Sequence, residues 1–370
     1  MDAEVRFVRN SAGERIAYAV HGKGSPLVCV AWWVSHLESD WEHPGYRRFF
    51  AELGEQHTVV RYDRPGTGLS DRQRTTVDLE SEVATLEAIV DGLGLGEMSL
   101  LGIACGGPTA VAYAARHPER VTKLVAFGSY VRGSDIGPRG ARDAVQALVR
   151  ESWGLGSKTV ADLFAPELDA EERRILGRAQ RAAASADMAS RLLALTFDVD
   201  VETEAREVSI PALVLHRKGD RTIPFAAGCE LAACLPGARL RSLEGKAHPP
   251  WYGDVTAASR AVLDFLGNVE RAPARPPGPM AHELRREGVL WHFSFDGKEI
   301  CRPREGWRTC RCCSRTRARK YTRPCCGTAA GPNGRRSRGR IRCSTMSRWP
   351  PTRGDWPGCR RRSPRPNSDN

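Results

Sequence analysis

The chain has 370 residues, 41% of them hydrophobic, enough for a sizeable core and outside the composition of a wholly disordered or fibrous chain. Its net charge of +12 is concentrated at one end: residues 301–370 hold 19 Arg and one Lys against Glu305, Asp355 and Asp369, a balance of +17 that leaves the first 300 residues at −5. A mildly acidic body is expected to take no specific nucleic acid. No apolar run approaches membrane-spanning length, Met1-Asp-Ala-Glu lacks the basic and apolar regions of a secretory signal, and the body cysteines Cys29, Cys105, Cys229 and Cys234 suit a reducing cytoplasm, which is the expected location.

In chain order, Pro26–Val34 reads as a strand running into a loop, and Val59–Ser70 as a fourth strand followed by a Gly-rich turn. Asp63 and Ser70 read as braces for that turn. Its glycines lack the G-x-G-x-x-G spacing of a phosphate cradle. Helical periodicity places helices near Tyr46–Leu53, Leu79–Leu93, Gly106–Arg116, Ala226–Cys234 and Val255–Leu266. Between Val131 and Glu207 the pattern turns Ala-, Arg- and Glu-rich and helical, with no strand.

The most informative segment is Met98-Ser-Leu-Leu-Gly-Ile-Ala-Cys-Gly-Gly-Pro108, a buried strand, a sharp turn and a helix start. This is the layout of a G-x-S-x-G nucleophile elbow, written here Gly102-Ile-Ala-Cys-Gly106. The small residues are in place, because the turn leaves no room for side chains two positions either side of its tip. The hydroxyl is missing, and Ala104 stands in the nucleophile position. A register with Cys105 as nucleophile puts β-branched Ile103 at the first crowded position and Pro108 where a second small residue is needed; Cys105 also reads as the source of a backbone N–H for an oxyanion hole. The loop after the first apolar strand supplies the other N–H in such an arrangement, near Trp32 or Trp33 and assigned to Trp33. The usual His-Gly pair is replaced by Ala31-Trp32, and the two indoles narrow the pocket or pack under a lid.

The remaining triad members follow in the order acid, then histidine. Ile210–His216 reads as a buried parallel strand ending in Arg217-Lys-Gly-Asp220, which puts Asp220 in the loop at the strand's C-terminal end. Leu243-Glu-Gly-Lys-Ala-His-Pro-Pro250 repeats the pattern with His248 in the loop. Asp220 would orient His248 and stabilise its imidazolium form. Alternating strands and helices predict an α/β fold with a mostly parallel central sheet flanked by helices.

Trp33-Val-Ser-His-Leu-Glu38, Trp41-Glu42, Tyr62-Asp-Arg-Pro-Gly-Thr-Gly-Leu-Ser-Asp71, Leu101-Gly-Ile with Gly106-Gly107, and Ala114-Ala-Arg-His-Pro-Glu-Arg-Val121 resemble the bacterial α/β-hydrolase domains fused to transcriptional regulators or to class III adenylate cyclases. The resemblance covers roughly residues 4–268; the Trp-Val-Ser-His-Leu-Glu run is fairly specific to that group and the rest general to the superfamily. It implies an α/β-hydrolase fold with a helical cap at about 135–205 over the active site, a Ser at the position of Ala104, Asp220 as acid and His248 as base. Ala104 departs from that pattern and puts ester hydrolysis in doubt.

Domain organisation is expected to be a hydrolase-type domain at 1–268, a Pro-rich linker at 269–282, a β-hairpin at 283–300 turning at Asp296-Gly297, the opening of a small second module, and a disordered Arg/Cys-rich tail at 301–370. The tail has no Leu, Val or Phe and carries eight of the twelve cysteines. It shows no helical basic face, and its Cys310-x-Cys312-Cys313 and Cys325-Cys326 groups have no His after His292 to complete a zinc site. A reading frame shifted near codons 300–306 accounts for it, since GC-rich back-translation in another frame yields an amphipathic helix. Two functional readings stand. One is a degenerate hydrolase that binds a small-molecule ligand as a regulatory domain, without cofactor or metal. The other is an active enzyme on an ester-like substrate, using Cys105 as nucleophile or the Asp220–His248 pair as general base.

Overall fold

The computed structural model describes residues 4–267, 283–287, 290–295 and 298–303. The chain divides into two units, Met1–Pro276 and Pro277–Asn370.

The first unit is built on eight strands: β1 (Val5–Arg9), β2 (Arg15–Gly22), β3 (Ser25–Val30), β4 (His57–Tyr62), β5 (Met98–Ile103), β6 (Val121–Phe127), β7 (Ala212–Arg217) and β8 (Arg239–Leu243). They form one sheet in the order β1-β2-β4-β3-β5-β6-β7-β8. β1–β2 and β2–β4 are antiparallel, and every pairing from β4 to β8 is parallel. β5 is buried at every position and β6 at its last four, as expected of central parallel strands covered on both faces. Helices α1 (Leu37–Glu42), α2 (Pro44–Gly54), α3 (Leu79–Gly92) and α4 (Gly106–Arg116) follow the first strands. α5 (Arg139–Glu151), α6 (Trp153–Phe164), α7 (Ala170–Ala183), α8 (Ala186–Asp198) and α9 (Glu202–Glu207) come between β6 and β7, and α10 (Phe225–Cys234) and α11 (Val255–Gly267) complete the layers.

The expected helices fall where periodicity placed them, with ends shifted by two residues at most. The stretch Val131–Glu207 folds as five helices preceded by a short 3₁₀ turn. β7 begins two residues after Ile210, because Pro211 has no N–H to give a ladder, and runs one residue past His216. No residue bounds for β1, β2 and β6 follow from the sequence; β1 shows no clean alternation, with Phe7 49% exposed on the sheet edge.

In the second unit, β9 (Glu283–Glu287), β10 (Leu290–Phe295) and β11 (Lys298–Pro303) form an antiparallel sheet in the order β11-β10-β9. β10 and β11 pair from Phe295–Lys298 outward, and the expected turn residues Asp296-Gly297 lie outside the described residues. Two expectations are corrected here. The hairpin has a third strand, β9, paired along its whole length with β10, and β11 reaches Pro303, so Cys301, Arg302 and Pro303 belong to a sheet ladder. The expected linker at 269–282 and the rest of the tail, 304–370, lie outside the described residues.

Candidate active site

The turn from β5 into α4 is a complete elbow in its backbone. Ala104 has φ +51°, the one non-glycine residue at positive φ among the described residues. Its N–H donates to Phe127 O (3.0 Å), and its carbonyl accepts from Ser129 Oγ (2.9 Å) and Gly107 N (3.1 Å). The glycines around it are demanded by space. A Cβ on Gly102 would stand 2.7 Å from Gly107 Cα, one on Gly106 2.9 Å from the carbonyls of Val30 and Ala31, and one on Gly107 1.8 Å from Ser129 Oγ.

Asp220 and His248 are joined. In the turn after β7, the Asp220 Oδ1 accepts from the N–H groups of Thr222 (2.8 Å) and Ile223 (3.1 Å), which leaves Oδ2 for His248 Nδ1 at 2.7 Å. Burial alone would push the Asp220 carboxyl up; the His248 and His216 imidazoles and the Ile223 N–H outweigh it and hold the group below its ordinary value. Arg217, the last residue of β7, clamps the histidine loop by donating to the carbonyls of Ala247, Pro249 and Tyr252, each at 2.7 Å. The His248 N–H donates to Phe164 O at the end of α6 (2.6 Å). Gly128 makes room for the ring: a Cβ there would stand 3.2 Å from His248 Cε1. Gly128 directly follows Phe127, whose carbonyl holds the Ala104 N–H, so Ala104 and the Asp220–His248 pair flank the same end of β6.

His248 is 1% exposed, and with Nδ1 donating to the carboxylate its Nε2 is the acceptor nitrogen. That Nε2 has no hydrogen-bond partner. A buried polar atom without a partner requires an explanation.

Cys105 has right-handed geometry (φ −69°, ψ −7°) and is the residue after the elbow's tip. Its thiol donates to Trp32 O, with Arg64 Nη2 3.9 Å from the sulfur, and burial pushes the thiol pKa up. The two indoles lie under α6: Trp32 is edge-on to Trp251 (4.7 Å between centroids), and both Trp32 and Trp33 touch Phe164 (5.9 and 6.3 Å). Trp33 Nε1 donates to Gln180 Oε1 of α7 (2.9 Å). No hydrogen bond ends on the backbone N–H of Trp33 or Cys105 among the described residues. With this aromatic cover closed, Ala104 is 4% exposed.

Asp63 and Ser70 brace the turn after β4: Asp63 accepts from Ser35 Oγ (2.7 Å) and the N–H groups of Leu37 (3.1 Å) and Leu69 (3.0 Å), and Ser70 Oγ donates to Asp63 O. Several residues around the elbow carry no local motif. Ser129, Phe164, Gln180 and Arg217 act through partners distant in sequence, His216 bonds Ile223 O within its own turn (2.8 Å), and Arg64 pairs with Glu82 (3.4 Å), which Arg74 also meets (2.6 Å). No cluster of three or more His, Cys, Asp or Glu side chains suited to a metal ion occurs among the described residues, and none of their helices is long and apolar enough to cross a membrane.

Comparison with known proteins agrees with this geometry. Residues 34–139 match the family model described as the alpha/beta hydrolase fold. A 2-hydroxy-6-oxononadienedioate/2-hydroxy-6-oxononatrienedioate hydrolase of Pseudomonas putida is 30% identical over 276 residues, covering 70% of this chain and 96% of the relative. A hydrolase of the same description from Paraburkholderia phymatum is 27% identical over 278 residues, covering 72% and 92%. Among solved structures, a bromoperoxidase from Bacillus anthracis superposes with a TM-score of 0.64 at 21% identity, over 72% of this chain and 100% of that one, a likeness of fold. The full-length match to relatives, together with the eight-stranded sheet and its elbow, places this chain in the α/β-hydrolase fold family.

Proposed function

We propose that this chain is a hydrolase-fold protein whose triad has lost its nucleophile, and that it binds a small carbonyl compound as a regulatory or sensing domain instead of cleaving it. The observation that carries the reading is the buried, unpartnered His248 Nε2, held at the Phe127–Gly128 end of β6 to which Ala104 is also bonded: the acid–histidine pair is assembled and oriented, and the elbow carries no hydroxyl for it to activate. Asp220 and His248 keep the acid and base positions, and the unoccupied N–H groups of Trp33 and Cys105 are the proposed oxyanion donors. The relatives' printed substrates, dienedioates and trienedioates bearing a keto group, indicate the kind of small acid such a pocket would take. The five helices between β6 and β7 act as the cap, and Phe164 and Gln180 must move for a ligand to enter. The resemblance to domains fused to regulators and cyclases gives the same reading from the sequence side.

Removing the serine from a working triad lowers kcat on the order of 10⁶-fold, so the parent should show background hydrolysis only. The alternative, Cys105 as nucleophile, requires a thiolate at the strained tip. The thiol instead sits one residue later, in helical geometry, protonated towards Trp32 O. The test is turnover of short-chain p-nitrophenyl esters by the parent, Ala104→Ser and Cys105→Ala. Hydrolysis gained in Ala104→Ser over a silent parent supports the lost nucleophile. Parent activity that disappears in Cys105→Ala refutes it.

A further inference from the structure

The loop after β3 leaves strand geometry abruptly. Along an extended, pleated chain successive carbonyls point to opposite sides. Ala31 and Trp32 are the first two residues past β3, and their carbonyls converge on one nitrogen, Arg64 Nη2, which stands 2.9 Å from Trp32 O. Two carbonyl dipoles brought together repel, and a guanidinium between them offsets that repulsion with charge-assisted bonds. Trp32 O accepts a second bond, from the Cys105 thiol. A carbonyl oxygen has two lone pairs, so both acceptor positions of Trp32 O are taken.

Arg64 is itself fixed in place. It lies two residues past β4, is buried, and sets Nη1 3.4 Å from Glu82 Oε2 on α3, while Arg74 meets the other oxygen of Glu82 at 2.6 Å. Burial alone would lower the guanidinium pKa; the Glu82 carboxylate outweighs it and keeps the group charged. The consequence falls on the adjoining N–H. No peptide bond among the described residues is cis, so the carbonyl of Trp32 and the N–H of Trp33, which share one peptide, point opposite ways. With the oxygen drawn to Arg64 and Cys105, the N–H faces away from both, and no protein acceptor meets it among the described residues.

We infer that Arg64, with the Cys105 thiol as a second brace, is a positioning residue for the oxyanion donor: by holding Trp32 O it sets the 32–33 peptide so that the Trp33 N–H is offered to a ligand's oxygen. The inference rests on the reading of the site given above, in which the Trp33 N–H is one of the two oxyanion donors. Turning the peptide over would strand the Arg64 Nη2 and thiol donors. It would also put a carbonyl oxygen where the N–H stood, and that oxygen would repel the charge the N–H is there to bind. Cys105 then serves the site twice, its backbone as donor and its side chain as brace.

The test uses the full chain. Crystal structures of the parent and of Arg64→Met should differ at the 32–33 peptide, with the Trp33 N–H turned from its parent direction in the variant; an unchanged peptide overturns the inference. In an Ala104→Ser background, with p-nitrophenyl esters, Arg64→Met should lower kcat about 10²–10³-fold, as loss of one oxyanion donor does, while KM moves by less than about three-fold. Arg64→Lys keeps a cationic donor for the carbonyl and should recover part of that loss. Cys105→Ala, with Arg64 still in place, should lower kcat about five-fold, the effect of one neutral hydrogen bond. Full kcat in Arg64→Met, or a raised KM at unchanged kcat, would overturn the inference. If Arg64→Met does not fold, Arg64→Lys and Cys105→Ala carry the same readouts, and unchanged kcat in both overturns it. An inactive Ala104→Ser protein sinks the lost-nucleophile reading instead, and the direction of the 32–33 peptide in Arg64→Met, or in Arg64→Lys, then decides the role of Arg64.

Discussion

Ala104 holds a backbone conformation that serves no side chain of its own. At φ +51° it lies in the left-handed region, where an L-residue with a Cβ is disfavoured by roughly 1–2 kcal/mol, and it is kept there by Phe127 O, Ser129 Oγ and Gly107 N. The strain belongs to the architecture of the elbow and persists after the hydroxyl is gone. Ala104→Gly should therefore raise the unfolding free energy by about 0.5–1 kcal/mol in urea denaturation, the relief of strain less the entropy of a glycine. Ala110→Gly, in the interior of α4, should lower it by at least about 1 kcal/mol. The elbow was legible at this scale because its requirements are steric and local: Gly102, Gly106 and Gly107 are spaced by what a Cβ would strike. Arg217 and Ser129 were not legible, because a buried arginine that holds a loop through three carbonyls, or a serine that holds one carbonyl, leaves no mark in its neighbours.

Among elements, the contact between the helical insertion and the sheet decides access to the site. α7 is tied to the loop after β3 by Gln180, which accepts from Trp33 Nε1 and donates to Ser157 O (3.0 Å). α6 is tied to the histidine loop by the His248 N–H to Phe164 O bond, and α8 meets the strand-four turn through Arg191, which donates to Arg74 O (2.7 Å). Gln180→Leu strands a buried indole N–H, at a cost of about 1–3 kcal/mol. The expected outcome is faster cleavage between Arg139 and Glu207 in limited proteolysis, with the sheet still resistant; unchanged proteolysis would show that the aromatic packing alone closes the cover. The helices outside the insertion were readable from period, and the insertion only as helical in character; the caps that fix their starts came with the structure. Asp78 and Asp169, for example, each close a capping box at the start of α3 and α7. That α6 and α7 descend on Trp32, Trp33 and His248 is a tertiary fact, since no residue of the insertion carries a signal of its distant partner.

Over the whole molecule, stability should depend on pH through groups that pull in opposite directions. Burial lowers the pKa of His21, His43, His57 and His216. The unfolded chain protonates such imidazoles near pH 6.5, the folded one only lower, so their contribution is complete above about 6.5 and is lost as pH falls through the folded values. Burial, with the neighbouring Asp63, pushes Asp40 up to about 7, and this works the other way: the folded carboxyl keeps its proton from about pH 4 upwards, and its stabilisation is lost as pH rises towards 7. Unfolding free energies at pH 5 and pH 7 should show the difference. His216→Gln should reduce the loss of stability on going from pH 7 to 5, and Asp40→Asn should increase it; parallel pH profiles in parent and variants would refute the assignment.

By itself the sequence determined the class of fold, the sequence positions of the elbow, Asp220 and His248, and the absence of a hydroxyl at the elbow's tip. These follow from short-range rules: apolar runs make buried strands, helical periodicity makes covering helices, and a tight strand–helix turn tolerates only glycine and small residues at set offsets. The tertiary structure decided the rest. It joined Asp220 to His248 across 28 residues of chain, left Nε2 without a partner, turned the Cys105 thiol towards Trp32, and closed α6 over the indoles. It also gathered Arg64, Arg74 and Glu82 behind the elbow with Tyr130. Contacts of this kind are between residues far apart in the chain, and their energies depend on burial and on which polar groups remain unsatisfied, quantities that exist only once the chain has packed.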